Sequence, residues 1–139
     1  ELTLSELETD IKNCLHALAI DNEHGEVCAF CITFAPDAPD AGANHRWFAD
    51  RFESFVYLDR IAFNPEAQGK GFGKLLYSFI ETSMSTGAPS PLCCEVNTQP
   101  PNPGSLRFHQ AIGFEEVGRL STSPDKSVCL LRKWVPFVS

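Results

Sequence analysis

The chain has 139 residues, of which 43% are apolar and 21% charged, and its formal net charge is −7. This length is typical of one domain with a substantial hydrophobic core. The negative net charge argues against a nucleic-acid partner, because such a partner requires a basic surface that neutralises its phosphates. No apolar run approaches the roughly 20 residues of a membrane-spanning helix, and no signal-peptide pattern opens the chain, so we expect a cytoplasmic protein without a membrane partner.

The predicted elements form hairpins near both ends of the chain and strand–helix units in its middle. Hydrophobic periodicity predicts, in chain order, helix 4–13, strands 14–20 and 26–34, helix 46–55, strand 56–63, helix 74–85, strand 92–97, helix 103–112, and strands 115–120 and 126–134. Asn102 is the predicted N-cap of the last helix, and Gly113 ends it. This order predicts a single α/β (α+β) domain over residues 1–139, with a mixed sheet and helices on both faces.

Two of the predicted helices carry apolar side chains that we expect in the core. In helix 46–55 these are the aromatic residues Trp47, Phe48, Phe52 and Phe55. An aromatic stripe at helical spacing packs in a core more often than it lines a ligand site. In helix 74–85 the corresponding residues are Leu75, Leu76, Phe79 and Ile80.

The six cysteines are better explained as free buried thiols than as disulfides or a metal site. Cys28 and Cys31 have the spacing of a zinc-binding pair. They lie in one predicted strand, however, where residues three apart point to opposite faces, and no second pair completes a tetrahedral set. We therefore predict neither a bound metal ion nor a disulfide framework.

A glycine-rich run between strand 56–63 and helix 74–85 is a candidate anion site. Glycines let the backbone approach a phosphate, and the following helix offers unpaired N–H groups and the positive end of its dipole. Two common phosphate motifs do not fit, because G-x-G-x-x-G needs glycine at Lys74 and the P-loop needs glycine at Gln68. The run consists of Gln68, Gly69, Lys70, Gly71, Phe72, Gly73 and Lys74.

The pattern that does fit is Gln-x-x-Gly-x-Gly, and at this point the sequence resembles the GNAT family of N-acetyltransferases. A second motif, from Asn102 to Phe114, is similar to a later helix of that family, with Asn, a small residue, an apolar–Tyr pair and Gly-Phe at this spacing. The resemblance covers about residues 56–120. The Glu-Val-Asn run at 95–97, followed by Pro-Pro-Asn-Pro at 100–103, resembles a subgroup of predicted acetyltransferases.

The resemblance implies a mostly antiparallel central sheet with splayed strands at the acetyl-CoA site. Two departures from the family pattern stand out. His109 replaces the tyrosine that often serves as general acid, and only one helix precedes the first hairpin, so the N-terminus is apparently truncated by one strand. An absent first strand would expose a sheet edge that dimerisation could cover, so a homodimer is a further expectation.

The resemblance also implies an activity and a set of site residues. The activity is transfer of acetyl from acetyl-CoA, the co-substrate, to an amine acceptor. The catalytic candidates are Glu95 as general base, Asp59 as a second base candidate, and His109 as acid. The acetyl-CoA-binding candidates are Ile61, Ala62 and Phe63 of the central strand, the run 68–74, and Asn102, Ser105 and His109 of the later helix.

Several alternatives stay open at this point. Glu95 and Asp59 could be solvated or ion-paired carboxylates, and His109 could be a helix histidine bonded to a neighbouring carbonyl. His45 and the two residues after it are candidates for lining an acceptor pocket. The whole domain could also bind acyl-CoA without turnover, as a sensing module.

Overall fold

The computed structural model describes residues 3–86 and 90–135. The helices are α1 (Leu4–Asn13), α2 (Ala43–Ala49), α3 (Phe72–Met84) and α4 (Pro103–Ala111), with a single 3₁₀ turn at Pro65–Ala67. The strands are β1 (His16–Asp21), β2 (Val27–Phe34), β3 (Val56–Phe63), β4 (Ser90–Gln99), β5 (Glu115–Ser123) and β6 (Lys126–Val135). The predicted order of elements is confirmed. In the described part of the chain, no helix has the length and apolar character needed to cross a bilayer.

The strands form one six-stranded sheet in the order β1-β2-β3-β4-β6-β5. Every neighbouring pair is antiparallel except β3 and β4, which run parallel. This confirms the predicted mixed, mostly antiparallel sheet. β3 and β4 pair only through Val56 with Leu92 and Tyr57 with Cys93. Beyond Tyr57 the two strands diverge, so the sheet has the predicted splay in its middle.

Helices α3 and α4 cover one face of the sheet. The side chains that α3 buries are Leu76, Tyr77, Ile80 and Met84. The expectation that Leu75 and Phe79 face the core is wrong, since they are 42% and 52% exposed. The start of α3 explains this orientation, because a side chain on Gly73 would contact the rings of Phe63 and Phe108, and this close approach fixes which face turns inward.

Helix α2 and the segment after it cover the opposite face. The predicted helix 46–55 is wrong in its bounds, because α2 ends at Ala49 and the aromatic spacing continues into an irregular segment. The predicted core role is confirmed for Phe48 and Phe55, which are almost fully buried. The buried residues of this second core are Ile32, Phe34, Phe48, Phe55, Tyr57, Cys93, Val128 and Leu130.

The cysteines are all free thiols, as predicted, and five of the six are buried. Burial raises the pKa of Cys93 and of Cys94, which makes both poor nucleophiles near neutral pH. Among the residues that the structure describes, no group of three or more His, Cys, Asp or Glu side chains is placed to hold a metal ion.

Gly118→Ala is expected to lower the free energy of unfolding by about 1–3 kcal/mol, because it overfills a packed contact. The Trp47 indole lies directly over Gly118, and an added Cβ would come within 2.3 Å of Trp47 Cζ2. Urea unfolding measures the loss. Gly104→Ala is a control for an added methyl group without a clash, and because Gly104 lies in α4 this variant should not be less stable than wild type. A Gly118→Ala variant as stable as wild type would show that Trp47 moves aside freely.

Candidate functional site

A bulge in β3 shapes the middle of the sheet. Opposite β2, Ile32 pairs with Arg60 and Thr33 pairs with Leu58, so Asp59 is the extra residue. An extra residue reverses the alternation of side chains along a strand. As a result Ile61 and Phe63 pack on the α3–α4 face together with Val56 and Leu58.

The glycine-rich turn has an open backbone at the start of α3. Gly69 and Gly71 adopt φ values of 75° and 80°, and an added Cβ at either would meet no atom within 4 Å. Gly71 is the N-cap of α3 and no side chain caps it. The first intrahelical bond runs from Leu75 N–H to the Gly71 carbonyl, so the preceding N–H groups of the first turn have no helical acceptor. With Lys70 and Lys74 alongside, this backbone is suited to an anion.

A cavity of about 200 Å³ lies next to this turn. It is bounded by β3 on one side, by the first turns of α3 on another, and by α4 on the third. Its walls are mostly apolar, so it suits an uncharged chain better than a phosphate. The lining residues are Ile61, Phe63, Gly73, Tyr77, Ser105, Phe108 and His109.

His109 lies in the wall of this cavity with both ring nitrogens hydrogen-bonded. Nδ1 donates to the carbonyl of Ser105 at 2.7 Å, and Nε2 therefore accepts from the hydroxyl of Tyr77 at 2.5 Å. Burial lowers the pKa of His109, so the ring is neutral near pH 7. The carbonyl contact is the one expected of a helix histidine, but the contact with Tyr77 was not predicted.

Tyr77 is a site residue that sequence reasoning missed. It is 2% exposed, and its ring meets Phe108 and Phe114 at centroid distances of 5.9 and 5.6 Å. Its spacing one residue after Leu76 and three before Ile80 marks it as part of the buried face of α3. A hydroxyl on that face requires a hydrogen-bond partner, but the spacing does not indicate which residue supplies it.

Glu95 lies in β4 on the opposite face of the sheet from the cavity. Its neighbours Cys94 and Val96 belong to the α3–α4 core, so the Glu95 side chain points toward α2. Its Oε1 accepts a hydrogen bond from the Tyr57 hydroxyl at 2.5 Å. Burial, with a smaller contribution from the charge of Asp59, raises the pKa of Glu95 to about 7, although the hydrogen bond from Tyr57 opposes this rise.

Asp59 forms an ion pair with Arg60. Its Oδ2 lies 3.5 Å from Arg60 Nε, which also lies 3.8 Å from Asp10 of α1. Burial raises the pKa of Asp59, while the charge of Arg60 opposes that rise. Of the two carboxylates, Glu95 therefore has the environment better suited to proton transfer near neutral pH.

Comparison with known proteins identifies the family. A family model described as "Acetyltransferase (GNAT) family" matches residues 3–114. The chain belongs to the GNAT family of acetyltransferases. A search of curated protein sequences found no match.

Solved structures show that this GNAT acetyltransferase has the fold of its family. Ard1 from Thermoplasma volcanium matches with a TM-score of 0.75 at 14% identity, covering 97% of this chain and 81% of Ard1. The ribosomal-protein-S18-alanine N-acetyltransferase from Escherichia coli matches with a TM-score of 0.65 at 17% identity, covering 99% and 81%. A phosphinothricin acetyltransferase from Sinorhizobium meliloti, solved in complex with AcCoA, matches with a TM-score of 0.65 at 20% identity, covering 95% and 67%.

The remaining predicted site residues of this GNAT acetyltransferase lie at the start of α4 and in α2. Asn102 is the N-cap of α4, as predicted, and accepts from the Ser105 N–H at 3.3 Å. His45 is 5% exposed, and its Nε2 lies 2.9 Å from the Ala35 carbonyl. Trp47 packs on Gly118. The structure therefore gives His45 and Trp47 packing contacts, while Arg46 is exposed.

Proposed function

We propose that this acetyltransferase transfers the acetyl group of acetyl-CoA directly to an amine. The observation that carries the proposal is the splay of β3 from β4. The anion-binding turn and the cavity lie on one face of the sheet, and Glu95 lies on the other. A gap between the strands lets a thioester held on the first face meet an amine held on the second.

Acetyl-CoA would be held by backbone more than by side chains. The open glycines and the unpaired N–H groups at the start of α3 suit its pyrophosphate, with Lys70 and Lys74 adding charge. The apolar cavity suits the pantetheine arm. The backbone of β3 past Tyr57, at Ile61, Ala62 and Phe63, is not paired with β4. Its N–H groups are our candidates for pantetheine and for the developing oxyanion.

Proton transfer is assigned to two sites on opposite faces. Glu95 takes a proton from the amine as its nitrogen attacks the thioester carbonyl, and the C–S bond then breaks to release the CoA thiolate. The Tyr77–His109 pair lies on the thiolate side. Because His109 is neutral and its Nε2 accepts from Tyr77, the proton available from the pair lies on the tyrosine oxygen. His109 has no proton on Nε2 to donate, so we assign the donor role toward the CoA thiolate to the Tyr77 hydroxyl, which His109 orients and which then regains a proton from solvent.

The test is release of free CoA from acetyl-CoA by the purified protein with a panel of amines. The panel includes small amines, amino acids and peptides with free N-termini. We expect amine-dependent CoA release with at least one class, and mass spectrometry of the product should show an added acetyl group. Tight acetyl-CoA binding without turnover on any amine would instead favour an acyl-CoA-binding module of the same fold.

A further inference from the structure

Tyr57 occupies the point at which the sheet opens. It is the last residue of β3 that pairs with β4, opposite Cys93. Its hydroxyl donates a hydrogen bond to Glu95, which lies two residues after Cys93 in β4. This hydrogen bond connects β3 to β4 at the point where their backbone pairing ends. Among the residues that the structure describes, no other side-chain hydrogen bond connects β3 to β4.

The ring of Tyr57 has little freedom to move. It is 2% exposed, and its centroid lies 5.5 Å from that of His45 in an edge-on arrangement and 5.9 Å from that of Phe48. Both contacts come from α2, which covers this face of the sheet. A ring held in this way keeps its hydroxyl in one place, and it restricts Glu95 to the rotamer that accepts its hydrogen bond.

The hydroxyl of Tyr57 keeps its proton and donates it in a hydrogen bond to Glu95. Burial and the nearby Glu95 carboxylate raise the pKa of Tyr57 far above its ordinary value, so it stays protonated at any pH of interest. A hydrogen bond donated to a carboxylate favours the ionised form of that carboxylate. Tyr57 therefore opposes the effects of burial and of Asp59, both of which raise the pKa of Glu95.

We propose that Tyr57 is a positioning residue that holds Glu95 at the strand gap and sets the pH at which Glu95 becomes a base. The assignment of Glu95 as base rests on the proposed function. The other groups that act on Glu95 are Asp59 from β3, the Asn44 amide from α2 and Lys126 from β6, the last two of which lower its pKa. The Asn44 amide acts in the same direction as Tyr57, so the effect of Tyr57 is measured with Asn44 unchanged.

The test is Tyr57→Phe, which removes the hydroxyl and keeps the ring. In wild type, kcat/KM should rise with pH as Glu95 loses its proton, with half of the rise near pH 7. In Tyr57→Phe we expect this rise to move upward by about one pH unit, since the lost bond favoured the ionised form. The variant should then recover most of its activity at high pH. A purely structural role would lower activity equally at all pH values.

A double-mutant cycle with Glu95→Gln tests whether the effect passes through Glu95. We expect Tyr57→Phe to change activity little once Glu95 is replaced. The titration of the Glu95 side-chain carboxyl, followed by carbon-13 NMR and assigned by its loss in Glu95→Gln, tests the coupling without turnover. A carboxyl titration that is identical in wild type and Tyr57→Phe would overturn the inference. A shifted titration in a protein that acetylates no amine would leave it standing and count only against the proposed function.

Discussion

Gly71→Glu is expected to abolish acetyl-CoA binding, with a loss in affinity of about 100-fold or more. The added side chain would enter the space that is open above Gly71, at the N-cap of α3. It would also place a negative charge where we assign the pyrophosphate, and the juxtaposition of like charges costs several kcal/mol. Calorimetric titration of acetyl-CoA into both proteins measures the change.

Gly25→Glu provides a closely matched control. Gly25 lies in the β1–β2 hairpin, and its φ of 76° is close to the φ of 80° at Gly71. As at Gly71, an added Cβ on Gly25 would meet no atom within 4 Å. Both substitutions force a side chain into the left-handed region, at a cost of about 1–2 kcal/mol in stability. The midpoint temperature of thermal unfolding should fall equally in the two variants. Only Gly71→Glu should lose the binding of acetyl-CoA. Loss of acetyl-CoA binding in both variants would show that backbone strain, and not the position of Gly71, causes the loss. Binding that is retained in both variants would show that the turn does not contact acetyl-CoA.

Glu95→Gln is expected to lower kcat on the order of 10²- to 10⁴-fold, the usual contribution of a general base. The amide keeps the shape of the side chain and can still accept from Tyr57, but it cannot take a proton from the amine. Affinity for acetyl-CoA should not change, because Glu95 lies across the sheet from the cavity and the turn. Steady-state kinetics with the best amine, together with acetyl-CoA titration, separate the two effects.

Asp59→Asn decides between the two candidate bases. Asp59 is paired with Arg60, and its replacement should cost activity mainly through the environment of Glu95. We therefore expect a smaller loss than in Glu95→Gln. Removing the Asp59 charge should also lower the pH at which activity rises, since that charge raises the pKa of Glu95. A larger loss of kcat in Asp59→Asn than in Glu95→Gln would indicate that Asp59 is the base.

Local sequence patterns were enough to predict the elements of the fold and the open glycine turn that is our candidate anion site. Gly69 and Gly71 were recognised because a backbone with positive φ next to a helix start is a property of a few consecutive residues. Asn102 was recognised as a cap for the same reason, since its partner Ser105 lies three residues away. The order of strands and helices then restricted the sheet to a mixed topology.

The hydrogen bonds of the candidate catalytic side chains connect residues far apart in the chain. Tyr57 reaches Glu95 across 38 positions and Tyr77 reaches His109 across 32. Neither pair has a signal in local spacing, because each depends on how two strands diverge and how two helices approach. The burial that raises the pKa of Glu95 likewise depends on α2 lying over that face.

The sequence by itself determined the family resemblance and the element order, and it supplied the candidate phosphate-binding turn and the candidate acid and base. Only the tertiary structure decided that His109 is neutral and bonded to Tyr77, that Leu75 and Phe79 face outward, and that Tyr57 holds Glu95. The physical reason is the same in each case. Backbone conformation follows from neighbouring residues, whereas desolvation and hydrogen-bond partners are set by side chains that the fold brings together from distant segments.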